Sequence, residues 1–143
     1  MKPQIEDDLN ALTRQVMHMG GLVERALDRS LHALLERELA AAREVIDGDE
    51  AIDQLENEIE ERCLDVLALR QPVARDLRYV TGVLKIDSDL ERMADLAVNI
   101  AERAEILAEV PPLPFRPDVT RLAALVKRMV RDGLDSLQRL DAQ

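Results

Sequence analysis

The sequence predicts an all-α protein, an elongated antiparallel three-helix bundle followed by the first helix of a second, truncated repeat. Three observations predict it. Of 143 residues 47% are apolar but only 1% aromatic, and five Gly and six Pro are present, so Ala, Leu, Glu and Arg run in long helix-forming stretches. Apolar residues recur at alternating spacings of three and four, which keeps them on one stripe of a helix. Four prolines fall within the eight residues 110–117, setting one last amphipathic segment apart. An all-β domain and a Rossmann-type α/β domain are excluded.

The first helix is expected over 4–37, with Ile5, Leu9, Leu12, Val16, Met19, Val23 and Ala26 as its seam. Gly20-Gly21 in its middle costs roughly 1–2 kcal/mol in propensity, so the pair should admit a close neighbour or a bend. A short continuation over 39–46 should end at Asp47-Gly48, a dipeptide that signals a turn. Asp49 then caps a second helix, in which Ile52, Leu55, Ile59, Val66 and Leu69 form the buried stripe and Asp53, Glu56 and Glu60 an acidic flank. It stops at Arg70-Gln71-Pro72. Proline is tolerated at the first position of a helix, so a third should run over 72–109. These three make a unit over 1–109, residues 110–117 are a stiff extended linker, and 118–143 hold a fourth helix with Leu122, Leu125, Met129, Leu134 and Leu137 at helical spacing. That helix folds back on the bundle, pairs with another chain, or opens a second repeat.

Composition also bounds the function. Nineteen Lys+Arg against 29 Asp+Glu give a net charge of -10, which repels phosphate backbones, and no basic stripe with interleaved aromatics argues for direct nucleic-acid binding. Apolar runs reach about five residues, far short of the roughly 20 that a bilayer span needs, and the N-terminus lacks an apolar leader. A cytoplasmic location is expected. Cys63 is alone, so it makes neither an intrachain disulfide nor a zinc cluster, and a packed thiol is its plain reading.

Chemistry concentrates in acid rows. Asp87, Glu91, Asp95 and Asn99 are spaced by four on the third helix, Glu24 and Asp28 repeat the spacing on the first, and Asp49 and Asp53 on the second. Pairs from facing helices supply hard oxygen ligands that can hold more than one metal ion, and no Glu-x-x-His partner points to a ferritin-like di-iron site. The other reading of such rows is a solvated face paired with arginine, for which Arg92 and Arg103 are at hand. The segment from Arg70 to Arg78 reads either as a helix joint, with Asp76 at the positive end of the third helix, or as a basic docking corner for an acidic partner. No phosphate loop, Ser-His-Asp or Cys-His arrangement, HExxH or CxxC is present, and two His leave few general bases near neutral pH. A non-enzymatic role is expected.

An internal offset links the ends of the chain. Leu22-Val23 and Leu27-Asp28 correspond to Met129-Val130 and Leu134-Asp135, all displaced by about 107 positions along the sequence, and Arg131 then stands where Glu24 stands in the first unit.

The run Arg70-Gln71-Pro72-Val73-Ala74-Arg75-Asp76-Leu77-Arg78, followed by Leu90-Glu91-Arg92-Met93-Ala94-Asp95 and Asn99-Ile100-Ala101-Glu102, resembles the PhoU family. Met17 to Val23 and Val45-Ile46-Asp47-Gly48-Asp49 stand in the matching upstream places. The resemblance implies a cytoplasmic bacterial regulator made of two three-helix repeats, of which the second is incomplete here. It implies an accessory factor of the phosphate-specific ABC transporter and a negative regulator of the phosphate-responsive two-component system, in contact with the transporter ATPase and the sensor histidine kinase. It further implies a multinuclear cluster of iron or another metal (Zn, Mn, Mg), with Glu91, Asp95, Glu24 and Asp28 as ligands. Where members often have Gly, this chain has Ala94. Homodimerisation through the apolar fourth helix is expected. The alternatives are a metal-free helical interaction module and a metal-dependent phosphohydrolase.

Overall fold

A computed structural model describes residues 2–114 and 118–141. Its four helices are α1 (Lys2–Glu36), α2 (Leu39–Arg70), α3 (Ala74–Ala108) and α4 (Val119–Asp141), and no strand occurs among the described residues. The all-α expectation therefore holds. Residues 115–117 of the expected linker, together with 1, 142 and 143, lie outside the described residues.

α1, α2 and α3 pack on one another around a seam with heptad-like spacing. Leu12, Val16, Met19 and Val23 from α1 meet Ile52, Ile59, Cys63 and Val66 from α2 and Val80, Val83, Leu90 and Ala94 from α3. Farther along, the core narrows to small side chains: Ala33, Ala41, Ala42, Ala97, Ala101 and Ala104, with Val45. Alanines let the helix backbones approach closely at that end. The Cys63 thiol is fully buried, and desolvation first, then the charge of Asp87, pushes its pKa up to about 12, so it is an inert core group.

The α1–α2 joint differs from expectation. α2 runs unbroken from Leu39 through Asp47-Gly48 and Asp49, and the chain turns earlier, at Arg37 and Glu38. Arg37 takes the left-handed conformation with φ 57°, and the Glu38 N–H donates to the Ala33 carbonyl at 3.1 Å, the six-to-one bond of a Schellman end that usually uses glycine. The Arg37 guanidinium also donates to the carbonyl oxygens of Ala108 (3.3 Å) and Val110, capping the end of α3. A turn at Asp47-Gly48 would have parted Val45 from Ile52. Both are buried one heptad apart, and their packing outweighs the roughly 1 kcal/mol that a helical glycine costs.

α4 folds back on α1, antiparallel to it. Ala123, Leu134 and Leu137 are buried, whereas Leu122, Leu125 and Met129 are 61%, 53% and 72% exposed. The single apolar stripe read from the sequence is two stripes, one packed and one open. Gly20 explains the closeness of the packing, because a Cβ there would lie 2.7 Å from both Leu134 methyl carbons.

Candidate cation site

α2 and α3 bring their acid rows together. Asp49, Asp53 and Glu56 lie one helical turn apart on α2, and Glu91 and Asp95 do so on α3. One ligand atom each from Asp49, Asp53 and Asp95 lie within 4.8 Å of one another, and so do those of Asp53, Glu56 and Glu91. Oxygens at that mutual distance suit an ion seated among them at about 2.1–2.6 Å. Asp53 belongs to both triads.

Among the described residues no ion pair joins a cation to Asp49, Asp53, Glu56, Glu91 or Asp95. Burial, then the charges of Asp53 and Asp95, raises the Asp49 pKa. Glu56 is raised by burial and then by Asp53, Glu60 and Asp95. A hydrogen bond shared with Asp95, followed by burial and the surrounding carboxylates, pushes Glu91 up to about 7. One turn before Glu91, Asp87 falls on the core seam itself, only 3% exposed. Burial first, then Glu56 and Glu60, lifts it to about 7. One buried oxygen of Asp87 and one of Asp49 have no hydrogen-bond partner. Because unsatisfied buried polar atoms are uncommon in folded proteins, both call for a proton or a cation.

The pair on α1 has a different environment. Glu24 accepts from Arg131 at 3.0 Å and Asp28 from Lys127 at 2.8 Å, and the Lys127 hydrogen bond is the main cause that lowers the Asp28 pKa. Thus the structure joins Glu91 and Asp95 to Asp49, Asp53 and Glu56, and places Glu24 and Asp28 against cations of α4. The Asp49-x-x-x-Asp53 pair read from the sequence takes part in this meeting, as a mid-helix pair because α2 begins at Leu39, and Glu56 joins it from what the sequence offered only as an acidic flank. Asn99, at the end of the same row, is exposed.

None of the described helices is long and apolar enough to cross a membrane. The PhoU domain family matches residues 16–104. A phosphate-specific transport system accessory protein PhoU homolog of Aquifex aeolicus is 46% identical over 134 residues, covering 94% of this chain and 61% of that protein. A homolog of the same description from Caulobacter vibrioides is 38% identical, covering 96% of this chain and 60% of that protein. The crystal structure of PhoU from Pseudomonas aeruginosa superposes with a TM-score of 0.90 at 36% identity, covering 95% of this chain and 66% of that one. The chain thus spans about three-fifths of the curated relatives' length. With the matched domain and the shared helical architecture in accord, the chain belongs to the PhoU family.

Proposed function

We propose that this chain is a non-enzymatic accessory and regulator of phosphate uptake and phosphate-responsive two-component signalling, acting in the cytoplasm through contacts with the phosphate ABC transporter ATPase and the sensor histidine kinase. Family membership over most of the chain carries the reading, because the relatives it matches are named as accessory proteins of phosphate-specific transport. In this reading residues 1–109 are one three-helix repeat and 118–143 open a second. The open stripe of Leu122, Leu125 and Met129 on α4 supports association as a dimer, since exposed apolar patches of this kind mark contact surfaces.

The α2–α3 cluster fits a hard cation. Every donor is a carboxylate oxygen, a set that suits Mg²⁺, Mn²⁺ or iron better than softer ions, and the unpartnered Asp49 oxygen gives the cluster a ligand atom to spare. Asp49, Asp53, Glu56, Glu91 and Asp95 would hold the ion, which when bound would neutralise their mutual repulsion. Glu24 and Asp28 join such a site only if their partners on α4 move away. A metal-free helical interaction module is the second reading, favoured by the engagement of that α1 pair with Arg131 and Lys127. A metal-dependent phosphohydrolase is the weakest reading, because no His joins either carboxylate triad among the described residues.

The test is genetic. Deleting the gene in its host should derepress a phosphate-starvation reporter during growth in high phosphate, with restoration by the plasmid-borne parent gene. A reporter still repressed by phosphate in the deletion strain would overturn the regulatory reading.

A further inference from the structure

We propose that the α2–α3 acid rows hold a further, inner cation position, formed by Asp87 with Glu56 and Glu60, that takes Mn²⁺ in preference to Mg²⁺. This deepens the cation reading of Asp49, Asp53, Glu56, Glu91 and Asp95 and rests on it.

Register carries the first part of the argument. Each of the two triads takes two successive acids of the α2 row and one acid of the α3 row. Because the rows run in opposite directions, the step from Asp49 and Asp53 to Asp53 and Glu56 on α2 accompanies the step back from Asp95 to Glu91 on α3. One more step of the same size reaches Glu56 and Glu60 on α2 and Asp87 on α3. Glu56 would be shared there as Asp53 is shared between the outer triads, which ties the inner ion to the outer positions. Glu56 and Glu60 are also the two side chains whose charge bears on Asp87.

Asp87 supplies a second, independent observation. It stands on the core seam between Val83 and Leu90, only 3% exposed, and one of its oxygens is buried without a hydrogen-bond partner. For packing alone an aliphatic side chain would serve better, since a buried carboxylate without a donor is costly. No ion pair joins a lysine, arginine or histidine to Asp87, Glu56 or Glu60 among the described residues. The inner triad is more open than the outer two, whose ligand atoms lie within 4.8 Å of one another. Glu60 is exposed, so its side chain can turn inward to an ion without disturbing the core.

The donors and their burial select the ion. All three donors are carboxylate oxygens. Cys63 neighbours Asp87 and Glu60, but burial pushes its thiol up to about 12, so it stays protonated and adds no soft ligand. Beside the buried Asp87 an ion must give up water on its inner side. Mg²⁺ dehydrates reluctantly and demands near-ideal octahedral geometry, and Ca²⁺ asks for roughly six to eight oxygens. Mn²⁺, which carboxylates also suit, is the ion that this position fits.

The experiment titrates the chelator-treated full chain with Mn²⁺ at neutral pH and counts bound ions from the loss of the free-Mn²⁺ electron paramagnetic resonance signal. Calorimetry repeats the count with Mg²⁺. The parent is compared with Asp87→Asn and Glu60→Gln, and thermal melts confirm that each variant stays folded. The expected result is one Mn²⁺ fewer in each variant than in the parent, with the Mg²⁺ count unchanged. Equal Mn²⁺ counts in the parent and both variants overturn the inner position and leave the outer triads standing. A parent that binds no Mn²⁺ overturns the cation reading and the inner position with it. Loss in Asp87→Asn alone, with Glu60→Gln matching the parent, assigns the change to the core and also overturns the position. Loss of Mg²⁺ together with Mn²⁺ overturns the stated preference.

Discussion

Glu24 and Arg131 meet in an ion pair of 3.0 Å although 107 residues separate them, and 107 is also the offset that aligns α1 with α4. Residues that correspond in sequence therefore touch in space. Asp28 with Lys127, and Gly20 with Leu134, flank them in antiparallel order, which places a local twofold relationship between the two helices at this pair. Identical acids at such a position would face each other. Opposite charges at corresponding positions remove that repulsion, and this accounts for arginine at 131 where the first unit has glutamate.

Arg131→Glu should loosen α4 without unfolding the bundle. The pair is partly exposed, so its own contribution is about 0.5 kcal/mol, but the variant sets two glutamates together at the seam and also loses the 3.0 Å bridge from Arg131 to Asp135. Hydrogen exchange in 119–137 is expected to rise while α1–α3 core amides stay protected. Adding Glu24→Arg should restore protection, and unchanged exchange in the single variant would contradict the pairing.

Adjacent glycines should respond with opposite sign. At Gly20 a methyl group would meet the Leu134 side chain at 2.7 Å, and at Gly21 it would meet nothing within 4 Å. Gly21→Ala should stabilise the helix by up to about 1 kcal/mol. Gly20→Ala gains the same propensity but displaces Leu134, and overpacking of that kind costs typically 1–3 kcal/mol. Chemical denaturation should order the variants Gly21→Ala, parent, Gly20→Ala, with Leu134→Ala relieving the last clash.

Acid should stabilise the protein above pH 5. Asp87 and Glu91 both have folded-state pKa values near 7, above the ordinary carboxylate range, so between about pH 4.5 and 7 the native state binds more protons than the unfolded one. Stability then falls as pH rises through that window. Asp28, which is lowered, acts in the opposite sense only at more acid pH. Asp87→Asn should flatten the slope and raise stability at pH 8 by roughly 2 kcal/mol, the scale of a buried charge left without a partner. A melting temperature flat from pH 5 to 8 in metal-free buffer would refute this.

The seam of α1 was legible because Leu12, Val16, Met19 and Val23 obey one period, and the same rule found α3. Asp47-Gly48 misled because local turn chemistry is read over two residues, whereas the burial of Val45 and Ile52 on one face is set by helices far away in sequence. The true turn at Arg37 has no glycine to announce it. Asp87 shows a similar limit: its row with Glu91 and Asp95 is exact at four residues, yet the slight drift between a spacing of four and the 3.6-residue turn carries one end of the row into the core. For α4, periodicity showed an apolar face but not its division between α1 and solvent, which depends on where the chain returns.

Cation binding should respond most to Asp53, the carboxylate shared by both triads. In chelator-treated protein the acids repel one another, so Asp53→Asn alone should raise the melting temperature slightly. In the parent, an ion that binds only the native state adds RT ln(1 + [L]/Kd), about 2.7 kcal/mol at a hundredfold excess over Kd, or roughly 8 °C in a chain of this size. Titrating Mn²⁺, Mg²⁺ or Fe³⁺ into the parent should give that gain, and the same titration of Asp53→Asn should give less than a quarter of it. Glu24→Gln provides the contrast: its carboxylate is held by Arg131, so the gain should persist. Equal responses from parent and Asp53→Asn would move the ion away from the α2–α3 cluster, and loss of response in Glu24→Gln would bring the α1 pair into the site.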